Sequence, residues 1–301
     1  MSLPQSVTLF EVGPRDGLQN EQPVSLSSKV ALVNDLSHSG LTHIETGAFV
    51  SPRWVPQMAD SNQVFSKIER SDKVSYTALV PNIVGFDAAL QHSPDEVAVF
   101  TTCSESFSRK NTNCSVTESL QRFMPVLEKA KANNIPVRAY LSCVLDCPYE
   151  GPTSPQRVLT IAKQLLNMGC YQVSLGDTIG TGTPKRVQAM LDCLLVEIQP
   201  ECLAVHFHDT WGQALANIHQ SLLMGISTID TSVAGLGGCP YAKGASGNVA
   251  TEDVIYLCHG MGISTGIELK AIAKAGWDIC KALNRRPSSK VSLALQSNQS
   301  M

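Results

Sequence analysis

Short runs rich in β-branched residues alternate along the chain with longer stretches whose apolar positions recur at helical spacing. Eight short runs fall at 7–12, 43–47, 74–80, 96–101, 137–143, 172–176, 203–208 and 228–232. Amphipathic periodicity occupies the intervals 28–39, 116–133, 155–168, 184–198 and 214–224, among others. This alternation favours parallel strands joined by crossover helices. Three helical stretches end on a glycine, Gly40, Gly169 and Gly225, and the chain enters a strand almost at once. A left-handed cap is tolerated there because glycine has no Cβ to clash.

Eight βα units in one chain fit a closed (β/α)8 TIM barrel better than an open doubly wound sheet, and no Gly-x-Gly-x-x-Gly turn follows the first strand. The fold class expected is α/β, with eight parallel strands and one extra C-terminal helix. The expected organisation is a single catalytic domain over 1–301, with the barrel at about 5–262, the extra helix at about 264–283 and a frayed Ser/Gln-rich tail over 288–301.

Composition narrows the partners. Hydrophobic residues make up 43% and charged residues 16% of 301, as in a packed enzyme, and the formal net charge is -3. Without a concentrated basic face there is no electrostatic case for nucleic acid or an anionic membrane surface, so a small-molecule substrate is expected. No apolar run approaches the roughly 18 residues of a spanning helix, and the opening Met-Ser-Leu-Pro-Gln is unlike a signal peptide, which points to the cytoplasm. The ten cysteines lack paired C-x-x-C spacing and read as reduced, mostly buried thiols.

In such a barrel the working residues lie at the carboxyl ends of strands and in the loops beyond them. Strand one runs into Arg15 and Asp16, in a turn dense in ionisable groups and bracketed by Gly and Pro. Strand seven ends in His206-Phe207-His208-Asp209, and its two-residue period turns both imidazoles to one face. Core filling wants Val or Ile at such positions, whereas two neutral imidazoles form a natural metal pair. Asp16 is the leading carboxylate to complete the site; Glu45, Asp177 and Asp230 at neighbouring strand ends compete. Two histidines and a carboxylate suit Mg2+ or Mn2+, and zinc or iron remain compatible with the ligands alone. The glycine-rich stretch 233–248 after strand eight reads as a flap carrying Cys239.

The stretches Glu11-Val12-Gly13-Pro14-Arg15-Asp16-Gly17-Leu18-Gln19-Asn20-Glu21 and Gly235-Leu236-Gly237-Gly238-Cys239-Pro240-Tyr241-Ala242 closely resemble signatures of the 3-hydroxy-3-methylglutaryl-CoA lyase family. Further ordered motifs extend the likeness over nearly the whole chain. Arg-Asp and His-x-His alone would specify only the wider group of barrel metallolyases and Claisen-type synthases; the cysteine flap narrows it. The resemblance implies cleavage of 3-hydroxy-3-methylglutaryl-CoA to acetyl-CoA and acetoacetate, with Mg2+ or Mn2+ as cofactor, an acyl-CoA as partner and a homodimeric state. It implies Asp16, His206, His208 and Asn248 as metal ligands, Arg15, Glu45, Asp177, Cys239 and Glu252 as catalytic or supporting, and Gln19 near the substrate. The chain departs from the family at Thr46-Gly47-Ala48 and at Asp146, positions that bear on acyl-chain fit.

On this reading either Asp16 or His206 takes the 3-hydroxyl proton, Arg15 stabilises the departing enolate and the Cys239 thiol protonates its carbon. Three rival readings are a Claisen-condensing acyl-CoA synthase, a non-haem iron oxygenase and an inactive CoA-binding protein. A synthase would favour a large regulatory segment after the barrel, an oxygenase has no need of the cysteine flap, and an inactive protein would be expected to have lost a site residue.

Overall fold

A computed structural model describes residues 3–238 and 247–298. Eight strands close into one parallel barrel: β1 (Thr8–Glu11), β2 (His43–Ala48), β3 (Ser75–Leu79), β4 (Glu96–Thr102), β5 (Val137–Ser142), β6 (Gln172–Asp177), β7 (Leu203–Phe207) and β8 (Thr228–Thr231). Each matches one of the eight sequence runs to within a residue or two. Closure comes from β1, which pairs with β2 on one side (Phe10 opposite His43) and with β8 on the other (Phe10 opposite Asp230).

The outer layer consists of α1 (Leu26–Ser37), α2 (Ser61–Lys67), α3 (Ile83–Leu90), α4 (Glu105–Thr112), α5 (Val116–Ala132), α6 (Pro155–Met168), α7 (Pro184–Leu194), α8 (Ala214–Leu223) and α9 (Thr251–Gly260). Local chemistry sets their ends. Ser115 and Glu118 form a reciprocal capping box at the start of α5, a device worth about 1 kcal/mol. Gly169, with φ of 113°, supplies the left-handed cap of α6, and Gly40 and Gly225 also have positive φ. The helical stretch expected at 184–198 stops at Leu194.

Strand residues such as Val97, Val99, Val173, Leu175, Val205 and Phe207 are buried in the apolar core. The interior has a polar centre. Arg138 on β5 is completely buried and donates to both oxygens of Asp230 on β8, at 2.5 and 3.2 Å, and to the Gln172 side chain at 3.0 Å. Its guanidinium also lies over the Phe10 ring, 4.2 Å from the centroid.

Beyond the barrel comes α10 (Leu269–Ala282), the extra helix the sequence suggests. The frayed tail expected over 288–301 is corrected: Lys290–Asn298 form α11. Its start is capped from a distance, because Asp253 on α9 accepts the Ser289 hydroxyl at 2.7 Å and the Val291 amide at 2.9 Å. A polar sequence conceals a helix whose anchor lies 36 residues upstream.

Candidate active site

Past β1 the chain makes a single π-helical turn, Gly13–Gly17, closed by the Gly17 amide donating to the Val12 carbonyl at 3.1 Å. Such wide turns are rare and collect at functional sites. Here the fully buried Glu11 holds the turn to the far end of the barrel circuit. It accepts the amides of Gly13 (2.8 Å) and Val233 (2.9 Å) and the Thr251 hydroxyl (2.6 Å). Burial pushes its carboxyl up to about 7 even against those three donors. No side chain fits at Gly13, where a Cβ would stand 2.5 Å from a Glu11 oxygen.

The turn sets Arg15 and Asp16 side by side at the barrel mouth. Arg15 Nη1 donates to Asp16 Oδ1 at 2.7 Å and Arg15 Nε donates to Glu45 Oε2, also at 2.7 Å. Opposite, the end of β7 presents His206 and His208 with their Nε2 atoms 3.4 Å apart, and His206 Nε2 is 3.9 Å from Asp16 Oδ2. One ligand atom from each of Asp16, His206 and His208 lies within 4.8 Å of the others. Donors about 2.1 Å from a shared octahedral cation stand about 3 Å apart, so small side-chain rotations bring this trio to coordination distance. The donor set fits a hard divalent ion.

The electrostatics set the charge states of these groups. Burial opposes ionisation of Asp16, but Arg15 and the two imidazoles outweigh it and hold the carboxyl well below its usual range. Burial, and then the neighbouring His206, pushes His208 down to about 4, leaving it neutral at physiological pH. His206 differs. Burial would lower it, but the hydrogen bond to Asp230 and the Asp16 charge raise it. Its Nδ1 donates to Asp230 Oδ2 at 3.2 Å, which turns Nε2 toward the trio.

Asn248 returns beside the site because residues 247–250 run back along β7 and β8: His208 bridges Asn248 and the Val249 amide donates to the Phe207 carbonyl. The Asn248 side chain reaches the carboxylate of Asp16. Its Nδ2 donates to Asp16 Oδ2 at 2.8 Å and to the Leu236 carbonyl at 3.2 Å, so the amide nitrogen faces Asp16.

A cavity of about 600 Å³ opens above these groups, lined by Arg15, Asp16, Gln19, Tyr140, His206, His208 and Asn248, among others. A second hollow of about 660 Å³ lies beyond Val50, which borders both. Its wall mixes apolar side chains with neutral polar ones such as Asn62, Asn82 and Gln91, and His92 is the one ionisable residue lining it, with no carboxylate or second imidazole beside it there.

Three expected site residues stand outside the cavity wall. Glu45 lies behind Arg15 as its ion partner. Asp177 accepts the Gly182 amide at 2.8 Å, and burial pushes it up to about 6. Glu252 accepts the Ala234 amide at 2.9 and 3.0 Å and is pushed up by burial to about 8. Each positions backbone or another side chain. Cys239 falls outside the described residues. The departures at Gly47, Ala48 and Asp146 are not among the residues lining this cavity. Ala48 lines the second hollow, and Asp146 is engaged by Arg186 and Thr181.

Sequence reasoning missed Tyr140 and Arg138. Tyr140 meets His206 edge-on, with centroids 6.1 Å apart, and lies under the Arg15 guanidinium. The signal was available: Arg138, Tyr140 and Ser142 alternate along β5 as the two histidines do along β7.

The chain matches known proteins over nearly its whole length. The HMGL-like family model matches residues 6–279. The chain is 55% identical over 296 residues to a Pseudomonas aeruginosa protein, "3-hydroxy-3-isohexenylglutaryl-CoA/hydroxy-methylglutaryl-CoA lyase", covering 98% of this chain and 99% of that one. It is 55% identical to the Mus musculus "3-hydroxy-3-methylglutaryl-CoA lyase, cytoplasmic", covering 97% of this chain and 85% of that one. The crystal structure of hydroxymethylglutaryl-CoA lyase from Pseudomonas aeruginosa superposes with a TM-score of 0.97 at 55% identity, over 99% of this chain and 100% of that one.

Proposed function

The chain belongs to the HMGL-like family, and from that premise we propose that Asp16, His206 and His208 hold a divalent cation, Mg2+ or Mn2+, on which its carbon–carbon cleavage depends. The enzyme cleaves 3-hydroxy-3-methylglutaryl-CoA to acetyl-CoA and acetoacetate. The observation that carries the metal reading is the convergence of one carboxylate and two imidazoles beneath Arg15 at the carboxyl end of the barrel.

A bound divalent ion supplies Lewis-acid polarisation of a substrate oxygen. The protein's part is proton and charge management. The 3-hydroxyl gives up its proton, its electrons form the ketone of acetoacetate, and the C2–C3 bond breaks with its pair passing into the thioester as an enolate. Asp16 and His206 are the two groups placed to take that proton; with Nδ1 donating to Asp230, His206 could accept it only at Nε2 and so only with that atom off the cation, and Asp16 only through an oxygen the cation leaves free. Arg15, permanently charged and fixed by Glu45, faces the cavity where the enolate oxygen gains negative charge. Cys239 follows Gly238, a cavity-lining residue, and its thiol is the proposed proton donor to C2. Asn248, whose Nδ2 donates to Asp16, would be the fourth residue to hold the cation, and Gln19 contacts the acyl-CoA from the rim.

Among the described residues no helix is long and apolar enough to cross a membrane. A homodimer in the cytoplasm completes the reading; sedimentation and cell fractionation test those two parts. The chemistry is tested by stripping the protein with chelator, refilling it with Mg2+ or Mn2+, and supplying 3-hydroxy-3-methylglutaryl-CoA without oxygen. Acetoacetate should appear only in the refilled samples. Turnover in stripped protein would contradict the metal reading, and a requirement for oxygen would replace it with an iron oxygenase.

A further inference from the structure

The peptide group joining Leu236 and Gly237 is used at both ends. Its carbonyl accepts Asn248 Nδ2 at 3.2 Å and the Ser232 hydroxyl at 2.9 Å. Its N–H donates to Glu21 Oε1 at 3.2 Å. The orientation of this one plane therefore sets where the Asn248 amide points, and Asn248 Nδ2 in turn holds Asp16 Oδ2 at 2.8 Å. Gly237 has φ of 100°, and a Cβ there would lie 2.9 Å from Asn248 Nδ2, so only glycine permits this close approach.

Glu21 is itself held from the other end of the chain. Arg285, just past α10, pairs through Nη1 with the same Glu21 oxygen, while its Nη2 donates to the Ser288 hydroxyl at 2.7 Å and its Nε to the Arg286 carbonyl at 3.2 Å. The pair is largely shielded, with side chains 25% and 13% exposed. The same C-terminal link grips the neighbouring turn, since the Ser288 amide donates to the Ala234 carbonyl at 2.9 Å. Ala234 has a left-handed φ of 56°, a strained value for a residue with a side chain, so this turn has to be held from outside.

We propose that Glu21 and Arg285 are a positioning pair for the metal site, acting through the Leu236–Gly237 peptide and Asn248 on Asp16. The proposal rests on the reading of Asp16, His206 and His208 as ligands. It gives the segment beyond α10 a role in metal binding although none of its residues reaches the cation. Without the Glu21 acceptor the peptide keeps only the hold of Ser232 and Asn248 on its carbonyl, so its tilt loosens, the Asn248 amide is less firmly directed, and Asp16 is left with Arg15 as its fixed partner. Outer partners of this kind change metal affinity by about 10- to 100-fold when removed.

The test titrates chelator-stripped full-length protein with Mn2+, reading free Mn2+ by electron paramagnetic resonance. Thermal unfolding midpoints are recorded in parallel on metal-free samples. Glu21→Ala and Arg285→Met should each weaken Mn2+ binding about tenfold, with Arg285→Lys intermediate because the charge survives while the Ser288 contact is lost. Lys163→Gln, which removes the exposed pair with Glu197, should bind as wild type. Wild-type Mn2+ affinity in Glu21→Ala and Arg285→Met would overturn the proposal, as would lowered unfolding midpoints with unchanged affinity. His208→Ala separates the two levels. If it binds Mn2+ normally the metal site itself is wrong, whereas if it loses Mn2+ while Glu21→Ala does not, only the positioning pair falls.

Discussion

His206 Nδ1 donates to Asp230 Oδ2 at 3.2 Å, and Asp230 is in turn gripped through both oxygens by the buried Arg138 and through Oδ2 by the Ser174 hydroxyl at 2.6 Å. The carboxylate therefore fixes the tautomer of the His206 imidazole and also neutralises a guanidinium that cannot lose its charge. Asp230→Asn should weaken Mn2+ binding by about 10- to 100-fold. It should also destabilise the fold by about 3–5 kcal/mol, because Arg138 is left buried with a neutral partner. Metal titration and urea unfolding read the two effects separately, and a variant with normal Mn2+ affinity would remove Asp230 from the account of the site.

On the proposed mechanism Arg15 faces the enolate. Arg15→Gln should lower kcat by about 10²–10³-fold, the range for losing one donor to a developing oxyanion, even at saturating Mn2+, and it should also change Mn2+ affinity because Arg15 Nη1 is paired with Asp16. Steady-state kinetics with acetoacetate detection, alongside the same titration, check this. An effect confined to KM would assign Arg15 to ground-state binding instead.

Glu252 makes folding stability depend on pH. In the unfolded chain its carboxyl ionises near 4.5, whereas burial keeps it protonated in the fold up to about 8. Between those values the folded state binds the extra proton, so each rise in pH favours the unfolded chain, by at most about 1.4 kcal/mol per unit. The loss is complete above about 8. Glu252→Gln should flatten that slope, a difference seen by comparing urea midpoints at pH 5 and pH 8. Equal slopes in both proteins would mean that Glu252 is ionised in the fold.

Asp146 departs from the family pattern yet serves the scaffold. Its Oδ2 accepts Arg186 Nη1 and the Thr181 hydroxyl, both at 2.5 Å. Asp146→Ala should leave KM for the acyl-CoA within about twofold while lowering thermal stability modestly. A large rise in KM would return this position to the substrate.

Much of this architecture was legible beforehand because it is local. Strand runs and helical periodicity depend on residues a few positions apart, and they yielded the barrel; the period of two along β7 placed His206 and His208 together. Interactions spanning long separations were not legible. Arg138 meets Asp230 across 92 residues, so the sequence reads Asp230 as a rival ligand and not as the partner of Arg138 and His206. Asp253 caps α11 across 36 residues, so a helix read as a tail. Glu252 and Asp177 carry the residue type of catalytic acids, and their burial against backbone amides is visible only in the fold. Asn248 could be named from motif likeness, but which of its amide atoms faces Asp16 is a matter of the Leu236 carbonyl.

The shared cation site is tested most directly by anomalous scattering from a crystal of the full chain grown with Mn2+. One peak is predicted, about 2.0–2.3 Å from an oxygen of Asp16 and from Nε2 of both His206 and His208. Mn2+ bound elsewhere in a crystal whose protein is fully active, with no density among those three side chains, would contradict it.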